Sequence, residues 1–379
     1  MSTDPHATLS TARGDRIARV RARMEREDVD TLLLSLGADL PWLTGYEAMP
    51  LERPTVLVLR HDELPVLVVP KLEAPRVAID HDLFAIWPWA ESDDPIGIVA
   101  GLVGRGGTVG VSDRMWASLL LSIERRLPDR RFVAASTVTG PVRAKKDSSE
   151  IDALIAAGAA ADRVADALLA GEIALIGRTE AEVSAEIGRR LLDEGHERVN
   201  FAIVASGPNA ASPHHEPGPR VIGAGETVVC DFGGALRLGS DIGYCSDTTR
   251  TVVTGAPSAR LIEMYGVLER AQAVAADAVR PGRTCEEIDA VGRAVIAEAG
   301  FGEFFIHRIG HGIGVEAHED PYLVEGNATV LDVGHACSVE PGIYLTGEMG
   351  ARIEDILVVT SDGARRCNAT DHALHVVEA

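Results

Sequence analysis

Apolar residues in the first third of the chain follow two patterns, a helical period and short unbroken runs. Ile17, Val20 and Met24 recur at helical spacing from Asp15 onward, whereas residues 1–13 are small and polar and are expected to be disordered. TLLLSL (31–36), TVLVLR (55–60) and LPVLVVP (64–70) are branched and apolar, as buried strands are, and the charged turn RHDE (60–63) closes the last two into a hairpin. DRMWASLLLSIERRL (113–127) returns to an amphipathic helical pattern. Charged and polar residues interrupt the apolar pattern at RAKKDSSEIDAL (143–154), ahead of a long alanine-rich helix. The break places an α/β domain over 1–142 and a second domain over 143–379.

The second domain carries an internal repeat. GRTEAEVSAEIGRRLLDEG (177–195) aligns without gaps on GRTCEEIDAVGRAVIAEAG (282–300). Each copy opens with Gly-Arg-Thr, sets a Glu three residues after the Thr (Glu182, Glu287) and ends in Gly. Thr with Glu at the third position forms a capping box, and the terminal Gly reaches the left-handed conformation that stops a helix. Each copy also follows an alanine-rich helix and precedes strand-like sequence. A duplicated half-domain explains these features together.

Charge narrows the partners. With 36 Lys and Arg against 57 Asp and Glu the net charge is −21, which disfavours nucleic acid and anionic membranes and favours solubility and cation recruitment. The cysteines Cys230, Cys245, Cys285, Cys337 and Cys367 are odd in number and lack C-x-x-C spacing, so they read as reduced thiols of a cytoplasmic protein. The N-terminal segment has no apolar signal-like core, and no uncharged apolar run reaches the roughly 18 residues of a membrane span. The expectation is a soluble protein that is not exported.

The acidic residues of the second domain carry the chemistry. VVCDFGG (228–234), YCSDTTRT (244–251), HRIGHGIGVEAHED (307–320), SVEPGIY (338–344) and GARIEDILVVT (350–360) are glycine-punctuated or strand-like strings. They contain Asp231, Asp247, His311, Glu340 and Glu354, the last two on strand-like segments separated by the expected turn PGIYLTGEMG. Four carboxylates converging in a fold repel one another unless a cation compensates them. One histidine with oxygen ligands suits Mn²⁺, with Co²⁺ or Zn²⁺ as alternatives. Two such ions about 3.5–4 Å apart ionise a water between them and polarise a carbonyl. The indicated reaction is hydrolysis.

Those motifs, in that order, resemble the pita-bread metallopeptidases, the family of methionine aminopeptidase, aminopeptidase P and prolidase. HRIGHGIGVEAHED and RIED resemble its proline-specific branch, strongly over about residues 145–379 and more weakly before. The resemblance implies an α+β chain, with a C-terminal pita-bread domain of duplicated α/β halves behind a smaller creatinase-like N-terminal α/β domain. It implies a homodimer that binds short proline-containing peptides and hydrolyses Xaa-Pro bonds, in dipeptides first. Aminopeptidase P activity on longer peptides is the alternative, and a non-catalytic binding protein is a third class. By resemblance Asp231, Asp247, His311, Glu340 and Glu354 hold two metal ions, with Glu354 bridging them and Glu340 able to take a proton from the bridging water. His318 donates a hydrogen bond to the scissile peptide or the oxyanion, Arg352 belongs to a proton relay, and His307 and His214 shape the substrate pocket. His215, beside His214, could exchange roles with it.

Two stretches depart from the family pattern. The connection GGALRLGSDIGYCS is long, so Asp241 competes with Asp247 for the second ligand position; the S-D-T-T-R-T context favours Asp247. The arginine that binds a dipeptide's carboxylate in familiar prolidases is replaced here by Tyr322, in HEDPYL (318–323). A tyrosine offers one hydrogen bond and no charged clamp. Arg53, in WLTGYEAMPLERP (42–54), is the candidate replacement, from this chain or a partner subunit, with Tyr322 assisting.

Overall fold

The computed structural model describes residues 5–104, 107–239 and 242–378. The chain forms two compact units, one of Met1–Arg143 with Gly239–Ile242 and one of Ala144–Leu238 with Gly243–Ala379.

In the first unit the apolar runs become a six-stranded sheet. Its strands are β1 (Thr31–Leu34), β2 (Val56–Arg60), β3 (Val66–Pro70), β4 (Ala85–Trp89), β5 (Thr108–Val111) and β6 (Arg131–Ala134), in the order β4-β3-β2-β1-β5-β6. β2 and β3 pair as the expected antiparallel hairpin, while β5 joins β1 in parallel. The runs are unbroken because β1 and nearly all of β2 are buried on both faces. Val99, Val103, Ile123 and Leu127, from the helices Pro95–Val103 and Ala117–Arg126 or their ends, pack with Leu33, Val56 and Val68 of the sheet. The expected disorder of residues 1–13 is corrected from Pro5 onward, where a helix runs over Pro5–Arg26; residues 1–4 lie outside the described residues. Proline is preset for the first helical turn, and the buried face of Ile17, Val20 and Met24 anchors a helix that extends back through the polar segment.

The second unit shows the duplication in its backbone. The helices Glu180–Asp193 and Cys285–Glu298 each span 14 residues and each start in a complete capping box, Thr179 with Glu182 and Thr284 with Glu287. Gly177 N–H donates to the Ile222 carbonyl as Gly282 N–H donates to that of Leu331, both at 2.9 Å. Thr179 bridges to Val221 as Thr284 bridges to Val330.

The first half supplies β7 (His196–Ser206), β8 (Thr227–Arg237), β9 (Gly243–Cys245) and β10 (Thr248–Val253). The second supplies β11 (Gly310–Gly312), β12 (Glu319–Leu323), β13 (Ala336–Val339), β14 (Gly342–Leu345), β15 (Met349–Arg352), β16 (Asp355–Val359) and β17 (Ala364–Arg366), and β18 (His375–Val376) returns to pair with β10. The sheets run β18-β10-β8-β7, with β9 on β8, and β12-β11-β13-β16-β17. PGIYLTGEMG, expected as a turn, forms the separate hairpin β14–β15. Its apolar positions Ile343, Leu345 and Ala351 are core, and only Gly347, at φ +79°, carries the reversal. The two sheets meet where Thr249 of β10 bridges to Glu354 and Thr251 Oγ1 donates to the Arg352 carbonyl at 2.9 Å. No helix among the described residues is long and apolar enough to cross a membrane.

β11 tolerates no side chain at its first position, because a Cβ on Gly310 would overlap the Ser338 carbonyl oxygen of β13. Gly310→Ala is expected to lower stability by about 1–3 kcal/mol, read as a reduced urea midpoint at unchanged slope.

Candidate metal centre

Each acidic residue sits at a point where the sheets approach one another. Asp231 lies within β8 opposite Thr249 of β10, and Asp247 stands just before β10. His311 is the middle residue of β11, Glu340 follows β13, and Glu354 precedes β16. His311 Nε2 lies 3.3 Å from Glu340 Oε1 and 3.7 Å from Asp247 Oδ2. Three groups of donors form, Asp231–Asp247–Glu354, His311–Glu340–Glu354 and Asp247–His311–His318, and within each the donor atoms lie within 4.8 Å of one another. Asp247, His311 and Glu354 each belong to two groups. Shared donors in adjacent groups suit two neighbouring cations.

The free lone pairs point the same way. Asp231 Oδ2 accepts from Arg352 Nη2 at 2.6 Å, and Glu354 Oε2 accepts from Thr249 Oγ1 at 2.8 Å. The second oxygens, Asp231 Oδ1 and Glu354 Oε1, are buried without a hydrogen-bond partner. Leaving a buried carboxylate oxygen unsatisfied costs about 1–3 kcal/mol, which a cation would offset. The residues therefore fit divalent metal.

Electrostatics agrees. Burial first, and then the neighbouring carboxylates, push Asp247 and Glu354 well above the ordinary range. Burial raises Glu340 to about 7, with Arg352 opposing and Asp231 adding to the rise. Burial, helped by His318, depresses His311 to about 3, so its ring is neutral. His311 Nδ1–H faces the Gly312 carbonyl at 3.0 Å, which leaves Nε2 as the free acceptor toward the carboxylates.

A cleft of roughly 770 Å³ opens on the cluster, lined by residues of the second unit alone. His214, His307 and His318 all line it. The ring of His318 lies 4.0 Å from that of His311, centroid to centroid, and burial followed by the Arg308 charge holds His318 below its ordinary value. Structure separates the adjacent pair His214 and His215. His215 Nε2 meets Glu180 Oε2 at 2.7 Å, and the buried Glu180 also accepts from Ser206 N–H and Oγ–H and from Asn209. That cluster fixes the loop from which His214 lines the cleft.

Arg352 donates to Asp231, to Tyr344 Oη at 2.8 Å and to Thr249 Oγ1 at 3.1 Å. His307 Nε2 is 2.9 Å from the same phenol, and burial, then Arg352, lowers His307 to about 4. With His307 neutral and its Nδ1–H on the Arg308 carbonyl, the Tyr344 hydroxyl donates to Nε2. Tyr344, Thr249 and Arg308 escaped the sequence reading. For Thr249 a signal existed: a polar run T-T-R-T inside a buried strand must find partners for its hydroxyls. Tyr344 and Arg308 offered none, being one phenol in an apolar strand and one arginine in a string whose histidines carried the reading.

Arg53 belongs to the first unit, where its guanidinium pairs with Glu91 and Glu52, each at 2.7 Å. Tyr322 does not line the cleft; its ring lies under the Arg308 guanidinium, 4.4 Å from Cζ. Asp241 lies outside the described residues. Cys230 and Cys245 are buried thiols raised by burial to about 12.

Comparison with known proteins places the geometry. Residues 152–361 match metallopeptidase family M24, and residues 16–145 match the creatinase/prolidase N-terminal domain. A probable dipeptidase PepE of Mycobacterium tuberculosis is 43% identical over 366 residues, covering 96% of each chain. The Xaa-Pro dipeptidase of Lactobacillus helveticus is 35% identical over 360 residues, covering 92% of this chain and 95% of its own. The crystal structure of a recombinant prolidase from Thermococcus sibiricus superposes with a TM-score of 0.89 at 33% identity, covering 99% of both chains.

The raised carboxylates make metal-free stability depend on pH. Glu340, Asp247 and Glu354 hold protons in the fold that they lose when unfolded, so their contribution is complete at low pH and disappears as pH rises through their folded values, about 7 for Glu340. His311 and His307 act in the opposite sense, but only below their ordinary value of 6.5. Between about pH 6.5 and 8 the melting temperature of metal-free protein is therefore expected to fall by a few degrees. Excess Mn²⁺ should remove or reverse that trend, because cations bind the deprotonated ligands. A flat metal-free profile by calorimetry would contradict the electrostatic account.

Proposed function

The chain belongs to metallopeptidase family M24, and on that premise we propose that it hydrolyses Xaa-Pro bonds in dipeptides at a pair of divalent cations, Mn²⁺ before Co²⁺ or Zn²⁺. The observation that carries this reading is the five-residue cluster, with its two unpartnered carboxylate oxygens, facing a cleft lined by three further histidines. Relatives named Xaa-Pro dipeptidase cover nearly the whole chain, which supports the substrate class.

Asp231, Asp247, His311, Glu340 and Glu354 would hold the cations. When bound, the cations would supply a nucleophilic water at neutral pH and a Lewis acid for the scissile carbonyl. Glu340, which lines the cleft, would take the proton released as water attacks and return it to the departing proline nitrogen. His318 stands beside the cluster on the cleft side and donates a hydrogen bond to the carbonyl oxygen as charge develops there. Arg352 orients Asp231, and Tyr344 connects Arg352 to His307, so the pocket histidine and the ligand set share one hydrogen-bonded chain. His214 and His307 flank the bound peptide. The five cysteines are unpaired and buried, which fits a reducing, cytoplasmic setting. A homodimer completes the reading: Leu72, Trp87 and Trp116 of the first unit are 57%, 47% and 42% exposed, apolar surface that a second copy would cover.

Glu354→Ala should lose bound metal and reduce Ala-Pro hydrolysis to background; turnover near the wild-type rate would refute the ligand assignment. His318→Ala should keep its metal while losing about 10²–10³ in kcat. Metal loss in that variant would make His318 a ligand instead. The wild type with Mn²⁺ should cleave Ala-Pro in preference to Ala-Pro-Ala and Ala-Ala, whereas preference for the tripeptide would move the reading to an aminopeptidase.

A further inference from the structure

Two guanidinium groups line the cleft, and they differ in what holds them. Arg352 is committed, donating to Asp231, Tyr344 and Thr249 and facing the Pro213 carbonyl. Arg308 has no such ties. Among the described residues no carboxylate forms an ion pair with its guanidinium and no hydrogen bond engages it; its close partner is the Tyr322 ring, 4.4 Å from Cζ. Stacking occupies the face of a guanidinium and leaves its five N–H groups free in the plane, the arrangement that meets a carboxylate with two parallel hydrogen bonds. Tyr322 is itself held, with Asn327 Nδ2 donating to its carbonyl at 2.7 Å. Ile306 and Val324, two residues from Arg308 and Tyr322 respectively, line the cleft with apolar surface.

We infer that Arg308, braced on the ring of Tyr322, binds the C-terminal carboxylate of the substrate. The assignment rests on the reading of this centre as an Xaa-Pro dipeptidase. The C-terminal carboxylate is the one anionic group common to all such substrates, and it is carried by a proline whose ring suits the neighbouring apolar wall. Arg53, already paired with two carboxylates in the first unit, is not needed for it. Tyr322 acts through Arg308 as a positioning residue, using its ring and not its hydroxyl.

The test compares Ala-Pro with Ala-Pro-amide, identical but for the charge, using the Mn²⁺-loaded enzyme. The wild type should favour the acid by about tenfold to a hundredfold in kcat/KM, the scale of a charged hydrogen-bonded contact. Arg308→Ala should lose that preference, chiefly through a raised KM for the acid, and should keep its metal content, which also shows that the variant is folded. Arg308→Lys should keep part of the preference as a point charge, while Tyr322→Phe and Arg53→Ala should keep all of it. L-Proline should inhibit more tightly than L-prolinamide in the wild type and equally in Arg308→Ala. A preference that survives in Arg308→Ala, or disappears in Arg53→Ala instead, overturns the assignment and leaves the dipeptidase reading standing. A wild type that cleaves Ala-Pro-Ala best and treats acid and amide alike overturns both.

Discussion

Repulsion among Asp231, Asp247, Glu340 and Glu354, gathered where little water reaches, sets the terms for everything around them. Burial and mutual charge drive three of the four toward protonation, so a full set of carboxylates at neutral pH requires compensating cations. The surroundings prepare for those cations without replacing them. Thr249 holds one oxygen of Glu354 and Arg352 one oxygen of Asp231, and in each carboxylate the other oxygen is left free. Behind the centre, Arg250 pairs with Asp355 at 2.8 Å and donates to the Glu354 carbonyl at 2.7 Å. That buried pair fixes the backbone on both sides of the junction. Pre-aimed donors of this kind reduce the reorganisation needed when metal enters.

The duplication explains why the centre forms where it does. Each half contributes a capped helix over an antiparallel sheet, and each sheet brings ligands to the edge where the halves join. The copies have since diverged at equivalent positions. Glu180, the first residue of one helix, gathers Ser206, Asn209 and His215 and so fixes the loop of His214. Its counterpart in the aligned repeat, Cys285, lies in the hydrophobic core. One fold element thus stabilises the interior in one half and shapes the cleft in the other.

The cleft also divides labour between its two arginines. Arg352, buried and tied to Asp231, belongs to the carboxylate cluster; Arg308, stacked on Tyr322 and otherwise unpaired among the described residues, lines the cleft. Guanidinium geometry allows both roles, since a planar fork can be locked through its edge or held through its face.

The strings that carry the carboxylate and histidine cluster, the repeat, the capping boxes and the first-unit hairpin were all legible in the chain, because each depends on residues close in sequence. A capping box spans four residues, a buried strand shows its burial in its own composition, and Gly-His-Gly carries its close backbone approach with it. The helix over Pro5–Arg26 was missed at its start because its polar first turns have no apolar period of their own and continue an anchored helix. The hairpin within PGIYLTGEMG read as a turn because alternation over four-residue strands is too short to stand out. The choice between His214 and His215, the chain from His307 through Tyr344 to Arg352, and the stacking of Arg308 on Tyr322 depend on strand register and loop packing between distant residues. Sequence therefore determined which groups could hold metal. Only the tertiary structure decided which neighbours hold those groups, because hydrogen bonds and charge contacts follow distance in space and not distance along the chain.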